Sequence, residues 1–294
     1  MEKGVPVKIT CLIENTSISE DLAAEHGLSL YIETCGKKIL FDAGRSGAFA
    51  DNAKKLGIDL STVDCFVLSH GHYDHGEGIR RFLSENGTAS VFARCGVDLP
   101  FYTASGKYIG LSEETIASLR QCGRLRLISN DSFSLFTDSG KEKNSLCLVS
   151  GLRGPVRFPM TRGFAIGDRR PDPGSRSAPE KTAFTADLFS HEMYLLAEEG
   201  GRTILFTGCS HRGIENLLTV YHPDVLVGGF HCFEEKIMDQ KNSRLDEIAD
   251  CLGASDTEFF TCHCTGKEQF VYLKEHFKHA KCLHYLAAGE TVIL

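Results

Sequence analysis

Four side chains able to ligate a metal ion fall between positions 70 and 75: His70, His72, Asp74 and His75, in the run LSHGHYDHGEG. Imidazole nitrogen and carboxylate oxygen are the usual ligands of zinc and related first-row ions. The preceding run Cys65–Leu68 is apolar, so the cluster opens from a strand end. Residues two apart in an extended chain share a face, so His70 and His72 aim to the same side. Asp74 and His75, one step further, can address a second ion close by. The bland alternative is a polar turn with scattered histidines. It does not explain why residues with little preference for helix or strand gather here.

The elements that must position this cluster follow from hydrophobic periodicity. Strand-like runs recur as VKITCLI, GLSLYIET, KKILFDAG, CFVLSHG, ASVFAR, RLRLIS and NSLCLVSG, then EMYLLAEE, RTILFTG, DVLVGG, EFFTCHC and TVIL. Several alternate polar and apolar residues, the mark of a sheet with one covered face. Helix-like stretches lie between them: SGAFADNAKKLG, GEGIRRFLSEN, SEETIASLRQCG, GIENLLTVYHP, SRLDEIADCLG and GKEQFVYLKEHF. Gly or Pro ends most of them, as helix stop signals do. Strands occur both as hairpin-like pairs and in alternation with helices, so the expectation is a mixed α/β protein with two sheets.

Composition narrows the function classes. A net charge of −7 argues against a general nucleic-acid binder, and no run approaches the length of a membrane-spanning helix. The start MEKGVPVKIT lacks the apolar core of a signal peptide. Twelve cysteines are spread along 294 residues with no CxxC pair, mostly in apolar runs where a free Cys packs as a small hydrophobe. That pattern fits a reducing compartment, and the expected location is cytoplasmic, with no membrane partner.

One segment departs from the rest. Residues 151–181 carry Arg153, Arg157, Arg162, Arg169, Arg170, Arg176 and Lys181 against Asp168, Asp172 and Glu180, with five prolines. It reads either as a solvated connection or as a loop that folds over the His70–His75 turn and attracts an anion. No second core can be delimited on either side, so a single domain over 1–294 is expected, with a basic Pro/Arg-rich loop at about 151–181.

The HxHxDH run at a strand end resembles the signature of the metallo-β-lactamase-fold hydrolases, and LFDAG (Leu40–Gly44) resembles that family's strand-end Asp. The ordered correspondence covers roughly residues 5–294. It implies a four-layer αββα sandwich of two mixed sheets, with Asp42 orienting an imidazole. It further implies that Phe189-Ser190-His191 supplies the family's third ligand before a hairpin, and that EFFTCHCTG supplies the last, His263. Cys209 stands where the family has a metal-bridging Asp; a thiolate there could coordinate or bridge, or could merely pack. The blocks TGCSHRGIENLL, VGGFH and HCTG resemble the branch named for 7,8-dihydropterin-6-yl-methyl-4-(β-D-ribofuranosyl)aminobenzene 5′-phosphate synthase, taken here as a subfamily label. His211 and His231 each follow a strand end and a glycine-bearing turn, so each is a candidate substrate contact or proton shuttle. His26, His222, His276, His279 and His284 sit in polar or helical surroundings and read as surface residues.

The implied activity is a metal-dependent hydrolase using metal-activated water on a small anionic substrate, phosphorylated compounds included, with Asp74 as both ligand and proton acceptor. Zinc is the expected cofactor, one or two ions, with iron and manganese as alternatives. A synthase-type transferase of the kind the branch is named for, an iron-dependent oxidoreductase and a non-catalytic metal binder remain open.

Overall fold

The computed structural model describes residues 6–138, 144–151, 158–239, 241–277 and 282–294. Two seven-stranded mixed sheets form its centre. The first runs, edge to edge, through Thr291–Ile293, Lys8–Ile13, Ser29–Thr34, Lys37–Phe41, Cys65–Val67, Ser90–Arg94 and Leu125–Ile128. The second runs through Leu283–Tyr285, Glu258–Thr261, Val225–Gly228, Arg202–Phe206, Tyr194–Glu199, Ser145–Val149 and Ser132–Thr137. In each, antiparallel neighbours give way to four parallel strands.

The alternation of side chains decides which face each residue serves. Ile39 and Phe41 turn inward and join Ile9, Ile32 and Val67 against Leu195, Phe206, Val227 and Phe260 of the other sheet. Leu40 and Phe66 turn outward, where Phe49, Ile79, Phe82, Ile116 and Leu119 cover them. These come from the helices Ala48–Lys55, Ile79–Glu85 and Glu113–Gln121. Leu205, Leu226 and Phe259 point out from the second sheet onto Leu217, Leu245, Ile248, Leu252 and Leu273. Those residues belong to the helices Ile214–Tyr221, Ser243–Gly253 and Lys267–His276. The result is helix, sheet, sheet, helix, the layered fold that the metallo-β-lactamase resemblance implied. Among the described residues no helix is long and apolar enough to cross a membrane.

The basic segment is not a loop throughout. Its strand Phe164–Gly167 pairs with Phe101–Thr103 on one side and Phe184–Ala186 on the other, forming a small third sheet. Such three- and four-residue strands, paired over tens of residues, carry too few alternating positions to stand out in a sequence. Arg153 and Arg157 lie outside the described residues.

The Phe66 ring stacks on Phe82 with centroids 5.4 Å apart, and both are fully buried. Phe66→Ala should therefore cost about 3–5 kcal/mol through lost transfer energy and a residual cavity. Denaturant unfolding measures this, and a loss under about 1 kcal/mol would contradict the packing described.

Candidate metal centre

The carboxyl ends of the central parallel strands of both sheets meet at one edge, and there the ligating side chains collect. Asp42 follows Lys37–Phe41, His70–His75 follow Cys65–Val67, and Cys209 and His211 follow Arg202–Phe206. His231 follows Val225–Gly228, and His263 follows Glu258–Thr261. Asp42, Ser210, His231 and His263 hold φ between +51° and +60°. A non-glycine residue in this left-handed region costs roughly 1–2 kcal/mol, a strain that persists where surroundings over-determine it. The two sheets approach closely here: a Cβ on Gly208 would lie 2.3 Å from Ser69 Oγ.

Hydrogen bonds on the far side of each ring determine which nitrogen faces the centre. Asp42 Oδ1 accepts the Ser69 N–H at 2.7 Å, and its Oδ2 accepts the Ser69 hydroxyl at 2.6 Å. With that hydroxyl donating to Asp42, His70 Nδ1 donates to Ser69 Oγ at 2.8 Å, leaving the His70 Nε2 lone pair inward. Asp42 Oδ2 also lies 2.6 Å from His75 Nδ1. His263 Nδ1 lies 2.9 Å from Asn15 Oδ1. With their outer nitrogens so engaged, His75 Nε2 and His263 Nε2 face each other at 3.1 Å, and His75 Nε2 is also 3.1 Å from Cys209 Sγ. Two ring nitrogens this close need a proton or a cation between them.

The donors fit a metal ion on a direct test. His70 Nε2, His72 Nε2 and both ring nitrogens of His211 and His231 are buried with no hydrogen-bond partner. Each such orphan costs about 1–3 kcal/mol unless something binds it. The donor atoms of His70, His72 and His211 lie within 4.8 Å of one another, as do those of His26, Asp74 and His263, and of His70, His75 and Cys209. Burial drives His72 and His231 down to about 3 and His263 to about 4, so these imidazoles are neutral and their lone pairs free. For Asp74 burial pushes upward, but His75, His26 and His263 outweigh it and hold the carboxylate ionised.

One expected ligand has both ring nitrogens bonded to the protein. His191 Nδ1 accepts the Gly71 N–H at 3.1 Å, and its Nε2 meets Asp187 Oδ2 at 3.0 Å, so both nitrogens are engaged. Its ring centroid lies 6.1 Å from that of His70 and 5.6 Å from that of His72. The His211 ring lies 4.9 Å from each, with both nitrogens free. His191 is thus bonded to the His70–His72 loop through Gly71, and the His211 ring is the one nearer to His70 and His72. His26, read as a surface residue, instead reaches Asp74 Oδ2 at 3.1 Å. His222 and His276 are exposed and His284 half-buried, while His279 lies outside the described residues.

Several residues at the site carried no sequence signal. Buried Glu192 accepts the N–H groups of His211 and Arg212 and the Tyr194 hydroxyl, which fixes the His211 turn. Phe164 from the small sheet stacks against His72 at 5.6 Å, and the Thr161 N–H bonds the His211 carbonyl at 2.8 Å. The basic segment thus does cover the centre, through an aromatic ring and a backbone contact. Its arginines divide. Arg170 is tied to Glu113, the Leu111 and Asp98 carbonyls and the Tyr108 hydroxyl, and Arg169 pairs with its neighbour Asp168. Arg162 lines a cavity of about 420 Å³ that shares His231 and Glu234 with a 280 Å³ cavity at the mouth of the centre.

Comparison with known proteins agrees with this architecture. The metallo-beta-lactamase superfamily model matches residues 23–108, the part holding Asp42 and His70–His75. A crystal structure described as a metal-dependent hydrolase of the beta-lactamase superfamily superposes with a TM-score of 0.70 at 26% identity, covering 98% of this chain and 99% of that one. The chain is thus similar to the metallo-beta-lactamase superfamily, in its sequence over residues 23–108 and in its fold over nearly its whole length. It is also similar to two proteins of Methanocaldococcus jannaschii. One is uncharacterized, at 29% identity over 91% of this chain and 94% of the relative. The other is 7,8-dihydropterin-6-methyl-4-(beta-D-ribofuranosyl)-aminobenzene-5'-phosphate synthase, at 23% identity over 97% and 96%.

The geometry separates ligand from support experimentally. His72→Ala and His211→Ala should each remove most of the bound metal, measured by elemental analysis of anaerobically purified protein, with far-UV circular dichroism unchanged. His191→Ala should retain more metal than either. Full occupancy in His211→Ala would return that ligand position to His191.

Proposed function

We propose that this protein is a metal-dependent hydrolase acting on a small anionic substrate, phosphorylated compounds included. The carrying observation is the set of buried imidazole nitrogens with no protein partner, gathered around an ionised Asp74 at the foot of an open cavity. The superfamily match over residues 23–108 and the 26%-identical hydrolase neighbour support the general class. His70, His72 and His211 would hold one ion, and Asp74, His75, His263 and Cys209 a second. Zinc suits this nitrogen, oxygen and sulfur set, as does iron. When bound, such ions supply a water-derived nucleophile near neutral pH and Lewis-acid polarisation of a carbonyl or phosphoryl oxygen.

The chain's own residues do the rest. Asp74, held ionised, orients the attacking water and takes its proton. His231 lines both cavities with neither nitrogen committed, so it can offer its one N–H to a substrate oxygen. Phe164 and Phe233 wall the mouth and restrict water, while exposed Lys107 and Arg162 draw an anion toward it. The twelve cysteines are all unpaired, which supports a cytoplasmic, reducing location.

A second reading has one observation in its favour, the near full-length similarity to the named synthase. In a transferase the same cluster would stabilise a departing phosphate or pyrophosphate. Hydrolysis assays on phosphomonoesters, phosphodiesters and thioesters, run on metal-analysed protein, distinguish the two; metal-replete protein inert toward the whole panel would favour the transferase.

On a substrate found in that panel, Asp74→Asn should lower kcat by about 10²–10⁴-fold through loss of the proton acceptor and a ligand. Arg162→Ala should raise KM more at low than at high ionic strength, with bound metal unchanged, because salt screens an exposed charge. Arg170→Ala should instead lower thermal stability, since its guanidinium is spent on structural contacts. A KM left unchanged by Arg162→Ala at low ionic strength would remove that residue from substrate capture.

A further inference from the structure

Cys264 carries an inference that no role described so far absorbs. Its side chain is 1% exposed, yet it belongs to none of the three apolar clusters of the described core, and neither does Cys209. Cys262, two residues earlier, packs instead in the core between the sheets. Cys264 and Cys209 both line the mouth cavity, alongside Asp74 and His231. The Cys264 thiol donates to the Cys209 carbonyl at 3.7 Å and lies beside the Cys209 thiol.

Room has been made for this sulfur. A Cβ on Gly229 would collide with Cys264 Sγ, so glycine just after the Val225–Gly228 strand lets this sulfur lie where it does. The donor atoms of Cys209, His263 and Cys264 all lie within 4.8 Å of one another. Donors around a tetrahedral zinc, with bonds of about 2.0–2.3 Å, stand about 3.3–3.8 Å apart, so small side-chain rotations bring this triad to one ion. Beside it, His211 offers two buried ring nitrogens with no partner, and its donor atoms group with those of Cys209 and His231.

We propose that Cys264 is a metal ligand, joining Cys209 and His263 so that one metal position takes two thiolates. Such a position selects a thiophilic ion, zinc or ferrous iron, over manganese or magnesium. Each thiol gives up its proton to solvent as the ion binds, and the two thiolates balance the dipositive charge. The inference rests on the metal-centre reading and deepens it, naming the class of ion and a ligand that the HxHxDH resemblance does not supply.

Cobalt(II) titration of the anaerobic metal-free protein tests this through thiolate-to-cobalt charge-transfer absorption in the near ultraviolet. The full chain should show the band, and Cys264→Ser and Cys209→Ser should each keep about half of it. An unchanged band in Cys264→Ser, or no band in the unaltered protein, overturns the assignment. X-ray absorption at the zinc edge of the unaltered protein requires no variant to fold, and two sulfurs per molecule are expected. One sulfur or none overturns the proposal while leaving the hydrolase reading in place. Two sulfurs in a protein inert toward the substrate panel sustains it and sinks only that reading.

Discussion

Imidazoles crowded into one buried edge do not hold together by themselves. Their lone pairs face each other, protonation is opposed by burial and by neighbouring rings, and each unpartnered nitrogen costs about 1–3 kcal/mol. Much of the architecture at this edge can be understood as holding that arrangement against its own repulsion. Asp42 braces Ser69, and through it His70, and braces His75 directly. Asp187 and the Gly71 N–H pin His191, which then props the loop carrying His70 and His72. Glu192 accepts two backbone N–H groups and holds the turn that presents His211. Three buried carboxylates therefore stand behind the rings, each spent on orientation.

How much of this was legible depends on whether the information is local. The HxHxDH cluster is legible because its four donors need only one strand end and one short turn, both encoded within a few residues. His263 is legible for the same reason, following a strongly apolar β-run. The layered fold follows from periodicity, since residues such as Ile39, Leu40 and Phe41 declare their alternate faces directly. His191 and His211 could not be ranked this way. Both follow a serine near a strand, and what separates them is which ring finds partners elsewhere: Asp187 four residues upstream and the Gly71 N–H far upstream claim one of them. His26 lies in a segment with no pattern, and only the folded chain sets its ring 3.1 Å from Asp74.

The basic segment shows the same division between composition and geometry. Its excess of arginine is visible in the sequence, but charge alone does not say which guanidinium is free. Arg170 is consumed in holding the 98–113 region, and Arg169 is neutralised by Asp168. The contact that does reach the centre is apolar, Phe164 against His72, and it exists because a four-residue strand is captured between Phe101–Thr103 and Phe184–Ala186. Binary patterning does not register strands that short, so this cover had no sequence signature.

The strained and unpartnered groups are not spread evenly over the described residues. Unpartnered nitrogens on four rings and four left-handed residues are concentrated at the strand ends, whereas the apolar clusters between and outside the sheets are satisfied. Domains of ordinary stability have only about 5–15 kcal/mol between the folded and unfolded states, so a few kcal/mol stored at one edge is a large share. An ion that binds the folded chain alone stabilises it by mass action and relieves the orphaned donors together. The ion would therefore add its stabilisation at the strand ends, while the two central sheets stand on their own packing.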